Sequence, residues 1–250
     1  MSFKRLSLAL FVLPLSAAAA VSPTAHWEYA GEHGPTHWSH ISKDYEGCAL
    51  GHTQSPIDIR SAEMHADLPK LEFQYAPSPL HIINNGHTIQ VNIDPGSTLQ
   101  IGDKTYKLVQ FHFHTPSEEH IKGKPYDMVA HLVHKDDAGK IAVVAVLFKV
   151  GAENPALPVI WQNMPRFATP EHTVASLNFN ATDLLPTKAA YYNFEGSLTT
   201  PPCSEGVNWF VLKQPVSLSA KQLKFFHAYY DHNARPVQPL NSRVVKESAE

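Results

Sequence analysis

The sequence predicts a mainly β fold with few helices. Short runs rich in Val, Ile, Phe, Tyr and Thr recur between residues 71 and 212, separated by Gly, Pro, Asn and Asp. A complete helix-start signature occurs once, near the C-terminus. No repeat or low-complexity linker divides the chain, so residues 21–250 are expected to form one domain.

Residues 1–20 stand apart. Lys4 and Arg5 precede an apolar run that ends in small residues at Ala20, and Pro14 interrupts it. The run is shorter than the roughly 18 residues a spanning helix needs, so it reads as a secretory signal peptide cleaved near Ala20. The mature protein is expected to be periplasmic or secreted.

Residues 26–60 are rich in turn signals, as in "GEHGPTHW" and "GHTQSPIDI". The strand-like runs that follow are "LEFQY" 71–75, "LHIIN" 80–84, "TIQVNI" 88–93, "YKLVQFHFH" 106–114, "MVAHLVH" 128–134, "IAVVAVLFKV" 141–150 and "NWFVL" 208–212. Asn85–Gly86 and Asp94–Gly96 are turn signals, and "DDAG" at 136–139 joins two runs as a hairpin does. A weak helix is predicted over 157–163. A stronger one lies in "LSAKQLKFFHAYY", with Ser219 as N-cap, Gln222 completing a capping box, and Leu218 and Leu223 as a hydrophobic staple.

Twenty Lys and Arg against 23 Asp and Glu give a net charge of −3. No basic run is present, so neither nucleic acid nor an anionic membrane is an expected partner. Two cysteines, Cys48 and Cys203, in an exported chain predict one disulfide, against the alternative of two buried thiols.

The 16 histidines are spread along the chain. In "QFHFHTPSEEH", His112 and His114 share one strand face, with Gln110 beside them and Val109, Phe111 and Phe113 opposite. His131 in "AHLVH" lies on a later strand. Two imidazoles from one strand and one from a neighbour can make three corners of a tetrahedron, the pattern of a catalytic zinc. From spacing alone, solvated strand histidines remain open as a reading. "GSLTTPPCSEGVNWFVL" at 196–212 is a stiff loop by its prolines, and by itself could be a surface turn.

Taken with "HWEY", "GPTHW", "QSPIDI", "NNGHTIQV", "AVVAVLFKVG" and "RPVQPLNSR", in that order, these motifs resemble the α-class carbonic anhydrases of exported bacterial type, from about His26 to Arg243. The resemblance implies a central twisted, largely antiparallel sheet of about ten strands with a few short peripheral helices. It implies a catalytic domain over 21–250 in which Zn2+ is held by His112, His114 and His131 and a zinc hydroxide hydrates carbon dioxide. Thr199 would accept from that hydroxide and donate to Glu118, and Thr200 would help hold bicarbonate. Val133, Val143, Leu198, Val207 and Trp209 would form the apolar wall for carbon dioxide. His87 would shuttle protons through water ordered by Tyr29, Asn85 and Gln90, and Gln110 would receive an N–H from a ligand histidine. Cys48 and Cys203 match the family's exported disulfide. Sulfonamide and anion inhibitors are expected, and a homodimer by analogy.

Two positions depart from the family pattern. Where a Glu usually supports the third ligand stands Val129, which predicts weaker zinc. Where a Tyr is expected stands Phe194, which predicts one hydroxyl fewer around Thr199. Two other readings compete: an inactive binding protein of the same fold, and a cupin-type metalloprotein suggested by "HFHTPSEEHIKG".

Overall fold

The computed structural model describes residues 25–65 and 67–249, so the expected signal peptide lies outside the described residues. The strands, in chain order, are β1 (Asp58–Ile59), β2 (Glu63–His65), β3 (Leu71–Gln74), β4 (Ser78–Asn84), β5 (Ile89–Asn92), β6 (Thr98–Ile101), β7 (Lys104–His114), β8 (His120–Ile121), β9 (Lys124–Pro125), β10 (Met128–Lys135), β11 (Ile141–Val150), β12 (His172–Phe179), β13 (Tyr191–Ser197), β14 (Glu205–Leu212), β15 (Val216–Leu218) and β16 (Lys246–Ser248). The α-helices are α1 (Trp38–Ile41), α2 (Gly47–Leu50), α3 (Leu157–Trp161) and α4 (Ala220–His227).

Among the described residues, thirteen strands form one sheet with a ten-strand spine ordered β12-β4-β5-β7-β10-β11-β14-β13-β16-β2. Pairing along it is antiparallel except at β11–β14 and β16–β2, which are parallel, as is the side pairing of β15 on β11. The mainly β expectation is met, in a mixed sheet.

The central strands β10 and β11 are near-continuous apolar runs because both of their faces are covered. One face carries the larger core, including Phe111, Phe113, Leu132, Val144, Trp161 and Phe226. The other carries a smaller one of Ile57, Val129, Val133, Val143, Val207 and Trp209. Phe113 is fully buried, with ring centroids 5.0 Å from Trp161 and 6.0 Å from Phe226. These contacts anchor one side of β7, so the opposite side is held in a fixed position.

The alternation of β7 is not continuous. Its register against β10 shifts between Val133, which faces Gln110, and His134, which faces Leu108. Val109 is the extra residue, and it is 38% exposed rather than on the apolar face the sequence assigned it. A bulge of this kind reverses the phase of a strand. Tyr106 and Leu108 before it, and Phe111 and Phe113 after it, all face the core, while Gln110, His112 and His114 are aimed at the other face.

The turns and caps follow their chemistry. Asp136 Oδ1 accepts from the backbone N–H of Ala138 and Lys140, and Gly139 takes a φ of 79° to close the β10–β11 hairpin. α4 carries the predicted capping box and ends at His227, short of the aromatic run that follows.

His134 is a buried polar residue on the larger core's side, its Nε2 2.7 Å from the Tyr75 hydroxyl. Burial pushes its imidazole down to about 4. The unfolded chain therefore binds the extra proton first as pH falls, and native stability drops between about pH 6.5 and 4, by on the order of 3 kcal/mol. Urea melts should show this slope, and His134→Gln should reduce it; an equal slope in the variant removes His134 as a cause.

Candidate active site

β7 and β10 pair so that His112 lies opposite His131, and His114 is two residues further along the same face. The ring centroids are 5.0 Å apart for His112–His114, 5.5 Å for His112–His131 and 4.8 Å for His114–His131. One nitrogen from each ring converges with the others within 4.8 Å.

The second nitrogen of each ring has a partner. His112 Nδ1 is 2.8 Å from Gln110 Oε1, His114 Nδ1 is 2.7 Å from the Asn233 carbonyl, and His131 Nε2 is 3.0 Å from Glu119 Oε1. With those N–H groups donating outward, His112 Nε2, His114 Nε2 and His131 Nδ1 are left as lone-pair donors facing one another. His114 Nε2 is buried without a hydrogen-bond partner. Burial pushes His112 down to about 3, and burial with the His131 and His112 charges pushes His114 well below its usual range. For His131 burial acts downward too, but the Glu119 carboxylate and its hydrogen bond, with Glu118 beyond, leave it raised. Three convergent imidazoles, two of them held neutral, with each outer nitrogen fixed, form a donor set that fits a metal cation.

Glu119 supplies the carboxylate behind His131 that the sequence does not place at Val129. Val129 lies fully buried in the smaller core, and the carboxylate that supports His131 comes from the β7–β8 connection instead. The two glutamates of "SEEH" therefore face different partners. Glu119 serves His131. Glu118 Oε1 accepts the Arg235 backbone N–H at 2.7 Å, and its Oε2 lies 3.5 Å from His114 Nε2. Burial pushes Glu118 up to about 7; His131, the Arg235 N–H and the Thr199 hydroxyl act against that, and Glu119 acts with it.

Two adjoining clefts meet over the triad. The first, of about 200 Å3, is walled by Val133, Val143, Leu198 and Trp209, with Thr199 and Thr200 at its side. Val207 is not on this surface; it is buried in the same apolar cluster. Phe194 also lies in that cluster, its ring parallel to Trp209 at 6.2 Å, so a ring without a hydroxyl suits an apolar position. The second cleft, of about 120 Å3, is lined by Trp27, Tyr29, Asn85, His87, Thr88 and Gln90. Gln110, His112 and Thr200 belong to both.

His87 stacks on Trp27 with centroids 3.7 Å apart and planes 7° from parallel. Burial, then the His26 charge, lower it from its ordinary value. Asn85 builds the turn before it, its Oδ1 accepting from the backbone N–H of His87 and Thr88. Gln90 donates to Asn92 Oδ1 at 2.6 Å. Tyr29 meets the His114 ring edge-on at 6.4 Å, and burial raises its hydroxyl well above the usual range.

Sequence reasoning missed Glu119, Asn233 and Arg235. Asn233 offers its carbonyl to His114, its Oδ1 to the Thr115 N–H, and its Nδ2 to the carbonyls of His87 and Phe113. The Arg235 side chain donates to Gln54 Oε1, Ser55 O and Cys48 O, next to the Cys48–Cys203 disulfide. A backbone carbonyl acting as acceptor leaves no mark on residue type. Glu119 was visible as a second carboxylate, but its direction was not.

A family model described as eukaryotic-type carbonic anhydrase matches residues 33–249. A carbonic anhydrase of Klebsiella pneumoniae is 47% identical over 246 residues, 96% of each chain. The α-carbonic anhydrase of Thermovibrio ammonificans, solved with the inhibitor sulfanilamide, superposes with a TM-score of 0.86 at 44% identity, over 90% of this chain and all of that one. A dioscorin solved with ascorbate is similar at 30% identity and a TM-score of 0.83, over 90% of this chain and 99% of that one. The near-complete match and the high identity to bacterial relatives agree with a sheet that converges three histidines beneath an apolar wall, and on these grounds the chain belongs to the eukaryotic-type, or α, carbonic anhydrases, a family of metal-dependent lyases.

Proposed function

We propose that the protein is an exported zinc enzyme that reversibly hydrates carbon dioxide to bicarbonate and a proton. The observation that carries this reading is the set of three convergent imidazole nitrogens, each fixed from behind, at the floor of a cleft half apolar and half polar. Three histidine ligands with an open fourth position suit zinc, which would supply a bound water acidified to about 7, carbonic anhydrases being the standard example of that effect.

The remaining roles belong to this chain's own residues. Val133, Val143, Leu198 and Trp209 offer carbon dioxide a surface with no hydrogen-bond demand. Thr199, with its proton donated toward Glu118, presents a lone pair that aligns the attacking oxygen. Thr200, shared by both clefts, is placed to bind bicarbonate. Tyr29, Asn85, Gln90 and Gln110 give the polar cleft groups that order water toward His87. Its imidazole, lowered from its ordinary value by burial, offers a ring nitrogen that can take a proton from that water and pass it outward, as a shuttle must. Export to the periplasm or beyond follows from the basic-apolar N-terminus and is in keeping with the disulfide.

Stopped-flow hydration by the zinc-loaded mature protein, with and without sulfanilamide, tests the reading. Sulfonamide-sensitive hydration is expected; its absence, with a ligand bound in the cleft instead, would favour a binding protein of the dioscorin kind. Iron or manganese as the native metal would count against zinc. In His87→Ala, kcat should fall by on the order of tenfold to a hundredfold, with kcat/KM little changed because the proton leaves after hydration. Imidazole buffer should restore part of the loss. Neither effect appearing would assign the proton to another group.

A further inference from the structure

A third cleft, of about 640 Å3, shares no lining residue with the two reaction clefts. Lys104, Lys140, Arg243 and Lys246 line it against a single carboxylate, Glu195. Its local excess is therefore positive in a chain whose net charge is −3. The three lysines come from the start of β7, the turn before β11 and the start of β16, and all are exposed. Among the described residues none of the three makes an ion pair, whereas Lys107 and Lys213 do.

The cleft is built rather than a chance gathering of surface charge. Arg243 is pinned by the carbonyls of Leu240, Glu195, Gln54 and Pro239, so its charge is fixed in the wall. Lys246 lies opposite Asn193 in the β13–β16 pairing. Asn193 donates to Asn208 Oδ1 at 2.8 Å and to the Trp209 carbonyl at 2.9 Å, which leaves the Asn208 amide N–H groups without a partner among the described residues. The Tyr106 hydroxyl also makes no hydrogen bond there.

The geometry points to a binding site for a multivalent anion, a compact molecule carrying two or more phosphate or carboxylate groups. Ammonium groups act as point charges on flexible stems and impose no planar fork, so they suit phosphate or carboxylate alike. The volume lies in the range of small-molecule pockets and exceeds what a single inorganic anion fills. The polar lining excludes an apolar ligand as the main occupant. This site does not depend on the activity proposed above.

Calorimetry on the zinc-loaded mature protein at about 0.15 M salt, where surface attraction is largely screened, tests it. The probes are fructose 1,6-bisphosphate, tricarballylate and inorganic phosphate; the first two distinguish phosphate from carboxylate. One of the two multivalent probes should bind one to one, and inorganic phosphate at least about tenfold more weakly. In the triple variant Lys104→Ala/Lys140→Ala/Lys246→Ala the affinity should fall at least about tenfold, with carbon dioxide hydration kept. Saturating sulfanilamide should leave the binding unchanged. Should the triple variant fail to fold, Lys140→Glu alone carries the same expectation. Absence of binding by both multivalent probes, undiminished binding in the variant, or displacement by sulfanilamide would each overturn the site.

Discussion

Glu119→Ala should release zinc about 10–100-fold faster than the parent, the usual range for losing the group behind a ligand histidine. The carboxylate lies 3.0 and 3.2 Å from His131 Nε2, and both partners are buried. Removing it leaves a buried N–H unpaired, at a cost of about 1–3 kcal/mol, and frees the ring to turn. Transfer of zinc to a chromogenic chelator measures the rate; release at the parent's rate would show that Glu119 does not hold the ligand. Val129→Glu alone, which the family pattern suggests would tighten zinc, carries a cost in stability. It would bury a second carboxylate where Val129 packs among apolar groups, near Glu119, and should destabilise the fold by about 3–5 kcal/mol. Val129 and His131 share one face of β10, two residues apart. The exchange Glu119→Ala/Val129→Glu should therefore regain part of the zinc retention that Glu119→Ala loses.

Cys48→Ser/Cys203→Ser should lower unfolding stability by up to about 5 kcal/mol, because the bridge closes a loop of 155 residues and restricts the unfolded chain. For a domain of this size that corresponds to a melting temperature lower by roughly 10–20 °C. The bridge also ties together native contacts around it. Cys203 N–H donates to Thr200 O at 2.8 Å, Gln54 Nε2 to Cys203 O at 3.0 Å, and Arg235 Nη2 to Cys48 O at 2.9 Å. The bridge thus holds the loop that carries Thr199 and Thr200, and the arginine whose backbone N–H serves Glu118. Activity well below the melting range should fall too. Melts and assays of the variant answer both points; an unchanged melting temperature would mean that the bridge adds nothing to the loop's restraint.

Residue types alone suffice for the mainly β class, the capping box of α4 and the pairing of His112 with His114 on one strand face. These are local properties. Alternation along a strand decides which residues share a face, and a cap is completed within four residues. His112 and His114 are legible as a pair because a strand of period two puts them on one face; the choice of His131 as their partner, over a reading as solvated strand histidines, rests on the family resemblance. The tertiary structure alone decided what depends on register and on chain segments far apart. The bulge at Val109 moves that residue out of the core and keeps two apolar pairs on one face, and nothing in "KLVQFHFH" marks where the phase changes. Glu119 rather than residue 129 supports His131 because the β7–β8 connection turns its second carboxylate inward. Asn233 acts through a carbonyl that every residue has. Lys104, Lys140 and Lys246 are scattered along the sequence, so no charge run announced them, and only the folded sheet gathers them around one cleft. Local periodicity is written in residue types; the meeting of distant segments is set by packing, register and backbone direction, which residue types alone do not encode.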